Sequence, residues 1–174
     1  MNRIACMVLS VLLAGCTGLP AGVAPVGDFV LDRYLGKWYE IARLDHSFER
    51  GLDRISAEYS LREDGGVQVV NKGFNAETGE WKEAIGKAYF VGAKDSGHLK
   101  VSFFGPFYGS YVVFGLDRDH YQYAFVSGPN TSYLWLLSRT PQVSEEVISE
   151  FKRTSGQRGF DTSSLIFVNH TEDD

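Results

Sequence analysis

The sequence predicts an all-β fold: an eight-stranded antiparallel up-and-down barrel with one C-terminal α-helix packed outside. Three observations predict it. Between residues 28 and 139 apolar residues recur at every second position, the spacing of strands with one buried face. Turn signals interrupt this alternation at short intervals. After Pro141 the period changes once, to that of a single amphipathic helix. Such a series of short strands means a sandwich or a barrel, and the short connections between neighbours favour the meander of a barrel.

The first strand is expected over residues 36–44. In the second, Ile55, Ala57, Tyr59 and Leu61 alternate with polar residues, and Glu63-Asp64-Gly65-Gly66 follows as a hairpin turn. Val67, Val69, Asn71 and Gly73 share one face of the third, and Ala84, Gly86, Ala88 and Phe90 one face of the fourth. Leu99, Val101 and Phe103 mark the fifth, Tyr111, Val113 and Gly115 the sixth, Tyr121, Tyr123 and Phe125 the seventh, and Tyr133, Trp135 and Leu137 the eighth. Ser144 is a suitable N-cap, with Glu145 and Glu146 at the positive end of the helix. Val147, Ile148 and Phe151 form its apolar stripe, and Leu134 and Leu136, pointing away from Trp135, are placed to receive it. Residues 165–168 read as a further short strand.

The N-terminus carries a separate message. Arg3 precedes an apolar run over residues 4–13 that is too short for a permanent membrane span, so residues 1–15 read as a signal peptide. Leu13-Ala14-Gly15-Cys16 resembles the lipobox of bacterial lipoproteins, which implies cleavage before Cys16 and acylation of that residue. Thr17 in place of Asp, by the same resemblance, implies the outer membrane, facing the periplasm. Residues 16–27, rich in Gly, Pro and small side chains, read as a lipidated N-terminus and flexible tether, and residues 28–174 as the domain. Of the two cysteines, Cys6 lies in the signal and Cys16 takes the lipid. The domain therefore has no thiol for catalysis or metal binding. The formal charge of −5 becomes −6 when Arg3 is removed, which argues against nucleic acid as a partner.

At Gly36-Lys37-Trp38-Tyr39-Glu40 the chain resembles the lipocalin family, whose first signature is Gly-x-Trp at the start of strand one. The second signature, commonly Thr-Asp-Tyr, is met only by Asp117 in Leu116-Asp117-Arg118. The third, an Arg after strand eight, is met by Arg139. The resemblance runs from about residue 29 to 168 and is strongest to the bacterial lipocalins, then to the apolipoprotein D branch. It implies a short 3₁₀ turn over residues 29–35, and a barrel end closed by Gly36, Trp38 and Arg139. It also implies a pocket lined by Tyr59, Asn71, Phe103, Tyr111, Tyr123 and Trp135. Alternation separately turns the same six inward and adds Ala88 and Phe90. Small residues facing large aromatics describe an apolar pocket with a few hydrogen-bonding tips.

The resemblance implies binding and storage or transport of a small apolar ligand in the bacterial envelope, a fatty acid or lysophospholipid, with no cofactor, no metal and no catalytic residue. At the open mouth His46, Arg50 and Arg54 are candidates to meet a carboxylate or phosphate, or else form a solvated loop. Glu40, if inward, needs a partner and is expected near the closed end, bonded to a Tyr or Arg. Two alternatives remain in other classes: a lipid-modifying enzyme on the same barrel, and a haem or bilin carrier with His46 as axial ligand. The aromatic run over residues 104–108 allows a plugged interaction module or a homodimer.

Overall fold

The computed structural model describes residues 17–171. The signal segment and Cys16 lie outside the described residues. A single helical turn, α1 (Leu31–Tyr34), leads into β1 (Gly36–Arg43), β2 (Leu52–Leu61), β3 (Val67–Asn75), β4 (Glu80–Phe90), β5 (His98–Ser102), β6 (Gly109–Leu116), β7 (Tyr123–Ser127) and β8 (Leu134–Ser138). Helix α2 (Glu145–Gly156), a 3₁₀ turn (Thr162–Ser164) and β9 (Ile166–Phe167) complete the chain. The turn before β1, expected as 3₁₀, is α-helical.

Each strand from β2 to β8 pairs antiparallel with the next, β8 pairs with β1, and β1 pairs back onto β2. This closes an eight-stranded barrel, as the alternation predicts. β1 is shared between neighbours. Its first half, from Gly36 to Tyr39, pairs with β2. Farther on the two strands separate, and β9 fills the seam, with Phe167 opposite Ala42 and Ile166 opposite Arg43. The Arg54 N–H donates to the Asn169 carbonyl at 3.1 Å, stitching the other side of the seam.

Two bulges alter which side chains point inward. In β1 the register shifts between Glu40 and Ala42. Trp38 and Glu40 face the interior, whereas Ala42 packs outside with Ile41 and Leu44. In β6 it shifts between Val113 and Gly115. Tyr111 and Val113 face inward, but Gly115, expected inward, lies against the ring of Phe125 on the outer side. An inserted residue leaves one position unpaired and reverses the alternation beyond it.

The outer faces of β1, β6, β7 and β8 form a second core. There Phe151 of α2 is fully buried among Phe125, Leu134 and Leu136. Burying one such apolar side chain stabilises by roughly 1.5–3 kcal/mol. Leu134 and Leu136 thus receive the helix, and their neighbours Trp135 and Leu137 face inward.

The stretch expected to be a flexible tether is packed onto the barrel. The Gly18 carbonyl accepts from Ser110 Oγ at 2.8 Å at the start of β6. Val23 and Val26 are buried, and the Val26 N–H donates to the Val113 carbonyl at 2.9 Å. The segment passes down the outside of β6 to the closed end, where the Val30 N–H donates to Tyr121 Oη at 3.1 Å. Its two valines supply the reason, because small-residue composition does not prevent a strap from burying apolar side chains.

Candidate functional site

The closed end is built around Trp38, which has no solvent exposure. Its indole N–H donates to the Tyr34 carbonyl at 2.7 Å. The Arg139 guanidinium lies 4.0 Å from the centre of the ring and donates to the carbonyls of Lys37, Arg33 and Leu35 at 2.8–2.9 Å. A cation over an indole contributes roughly 0.5–2 kcal/mol. Gly36, at φ +92, takes a conformation that suits glycine. These three residues form the floor.

Above the floor stands a chain of phenols. Tyr111 Oη is 2.7 Å from Tyr34 Oη and 2.9 Å from Tyr59 Oη. Burial pushes all three hydroxyls well above their ordinary pKa, so they are neutral donors and acceptors. Around them the wall is apolar: Ala57, Val69, Ala88, Phe90, Val101, Phe103 and Trp135 belong to one cluster. Phe90 lies toward the closed end, 6.2 Å from Phe29. Asn71, between Ala57 and Ala84 on neighbouring strands, presents a buried Oδ1 with no hydrogen-bond partner. Several inward residues keep solvent contact: Ala57, Asn71, Phe90, Phe103, Tyr111 and Trp135 are half-buried, and Ala84 is exposed.

Tyr123 is not part of this wall. It faces outward, stacks on Phe125 at 5.6 Å and reaches Glu150 of α2 at 3.4 Å. Ala124 and Val126 take the inward positions. The reversal in β6 carries across the pairing into β7, which is why simple alternation misplaces Tyr123.

The three mouth residues have different fates. His46 is buried, its ring centre 5.1 Å from that of Trp135 and 5.7 Å from those of Phe48 and Tyr133. Arg50 is exposed and paired with Asp45 at 2.8 Å. Arg54 is on the outer wall, over Phe74 at 3.8 Å and near Trp81, in a surface groove also lined by Lys37 and Lys72. A bulge in β2 between Asp53 and Ser56, with Arg54 at φ +50, turns it outward. It is therefore not a mouth residue.

Near the mouth a polar cluster interrupts the apolar wall. Glu40 is inward and buried, and Arg43 Nη1 donates to its Oε1 at 3.0 Å. Arg43 Nη2 also reaches the carbonyls of Glu49 and Leu52, at 3.3 and 3.2 Å. Glu49 Oε2 accepts from the Trp135 indole N–H at 3.1 Å and lies 2.9 Å from His46 Nε2. Burial, then the charge of Glu49, hold the Glu40 carboxyl well above its usual range despite Arg43. Burial also raises Glu49, but the His46 bond and charge outweigh it and leave this carboxyl low. Sequence reasoning flagged Glu40 and His46 and expected Glu40 to bond a Tyr or Arg, but it put Glu40 near the closed end, whereas its partner Arg43 ties it to the mouth loop; Arg43 and Glu49 themselves were missed. The bulge turns Arg43 inward, and the loop that brings Glu49 over the mouth has no periodic signal.

The family description "Lipocalin-like domain" matches residues 29–170. The chain is 64% identical over 168 residues to the outer membrane lipoprotein Blc of Vibrio cholerae, covering 97% of this chain and 98% of that protein. It is 31% identical over 145 residues to apolipoprotein D of Mus musculus, covering 79% and 75%. Among solved structures, insecticyanin from the tobacco hornworm Manduca sexta superposes with a TM-score of 0.71 at 22% identity, covering 90% and 88%, a likeness of fold.

Proposed function

The chain belongs to the lipocalin family and is a lipid-anchored lipoprotein of the outer membrane, and from that premise we propose that its barrel carries a single-chain lipid, a fatty acid or a lysophospholipid. The observation that carries this reading is the inward wall. Apolar and aromatic residues point into the barrel and are still touched by solvent, around the unmet acceptor of Asn71. Eight strands enclose room for one small ligand. The acyl chain lies among Ala57, Ala88, Phe103 and Trp135, with the neutral phenols of Tyr59 and Tyr111 below it. The head group stays at the mouth, beside the pairs that Arg43 makes with Glu40 and His46 with Glu49. Anchoring is through Cys16. The role is stoichiometric carriage, not turnover.

Native mass spectrometry of the protein isolated from its own membrane tests this. A bound mass equal to one fatty acid or lysophospholipid, displaced by added oleate, is the expected result. A barrel that is empty on isolation and fails to take up a fluorescent fatty acid in solution rejects it.

A further inference from the structure

We infer that the open mouth of the barrel rests directly on the lipid surface holding the anchor, with Phe104 and Phe107 inserted between the head groups. This rests on the anchor at Cys16, not on the identity of the ligand.

Two observations meet at one end of the molecule. The first is the direction of the N-terminal strap. Gly18 is fastened to Ser110, the second residue of β6, and β6 begins at the mouth. Cys16 is two residues earlier in the sequence, a reach of about 7 Å for extended chain. The eight residues of β6 put the closed end roughly 26 Å away. An acylated Cys16 therefore brings the mouth to the membrane, unless the strap peels away from Val112, Val113 and Phe114.

The second observation is what surrounds that point. The loop immediately before β6 reads Phe103-Phe104-Gly105-Pro106-Phe107-Tyr108 and contains no charge. Phe104 is 72% exposed and Phe107 73%. Phe48, 66% exposed, lies on another mouth loop. The β7–β8 connection, Gly128 to Tyr133, is also uncharged. The charges of the rim lie instead on the β1–β2 loop, with Asp45, Glu49 and Arg50, and on the β3–β4 connection, with Glu77, which leaves the β5–β6 and β7–β8 side of the rim uncharged for the membrane. Exposed phenylalanines beside an acyl anchor suit a lipid interface, where each ring leaves water. The surface of a lone globular domain rarely groups such rings.

The test uses the full lipidated protein in vesicles of phosphatidylethanolamine and phosphatidylglycerol. Cys16 is acylated and the domain has no other cysteine, so a single introduced cysteine reports cleanly. An environment-sensitive fluorophore on F107C is expected to shift to the blue and to be quenched by nitroxide carried on the lipid chains. The same fluorophore on D119C, at the closed end, is expected to remain as in water. Equal behaviour at the two positions, or quenching at position 119 alone, overturns the proposal. In the anchor-free C16S protein, the double variant F104S/F107S is expected to lose vesicle partitioning by about tenfold per ring, the equivalent of one phenyl burial. If the double variant instead converts a dimer to a monomer, with no change in partitioning, the rings serve a second copy of the chain and the proposal falls. Uptake of a fluorescent fatty acid by the same variants in solution is read separately. Failure of the unsubstituted protein to take up the probe counts against lipid carriage, whereas unchanged quenching at position 107 still supports docking.

Discussion

Arg139 ties the chain after β8 to a stretch more than 100 residues earlier: its guanidinium bonds the backbone from α1 into β1 and covers Trp38. Arg139→Ala removes the cation–π contact and leaves those carbonyls to water, so the expected loss is about 2 kcal/mol, read from urea unfolding. Arg139→Lys recovers only part of it, because an ammonium lacks the planar fork that serves several carbonyls at once. The Glu40 and Glu49 pair gives a pH prediction. The folded protein holds the Glu40 proton more tightly than the unfolded chain does. Its contribution is complete below the ordinary carboxylate range and is lost as pH rises through the raised value. Glu49 acts oppositely: its contribution is present above the ordinary range and is lost as pH falls through the lowered value. Glu40→Gln is expected to flatten the decline in stability that accompanies rising pH and to leave the acid limb, measured by urea unfolding at a series of pH values.

At the level of strands and loops, alternation is informative until a bulge reverses it. The strand pattern, the helix and its stripe of Val147, Ile148 and Phe151 were readable because one buried face imposes a period on many residues at once. The bulges in β1 and β6 carry no such mark, since one extra residue resembles its neighbours. Alternation therefore puts Gly115 and Tyr123 on the wrong face, while Tyr59, Asn71, Phe103, Tyr111 and Trp135, on uninterrupted stretches, point inward. Arg43 and Glu49 depend on contacts between a bulge and a loop, which no local pattern encodes. Gly115 provides a test of the outer packing. A Cβ there collides with the Phe125 ring, so Gly115→Ala is expected to cost about 1–3 kcal/mol. The loss should shrink in a Phe125→Leu background, as a double-mutant cycle will show. If G115A is neutral, the bulge does not press this strand against β7.

The molecule as a whole has two cores on either side of one sheet, an inner one shared with the ligand space and an outer one under α2. With no thiol left after Cys16, cohesion of the domain rests on packing and on closure of the sheet. Closure ends at the seam where β1 and β2 separate and β9 lies between them. The C-terminus is thus a fastener. Ending the chain at Leu165 bares two rows of backbone donors and acceptors, a ready template for association between molecules. That truncated protein is expected to form thioflavin-positive aggregate at temperatures where the full chain stays monodisperse. An affinity handle fused to the C-terminus pulls on the same fastening, so purification from the other end, or by the acyl group, leaves the closure undisturbed.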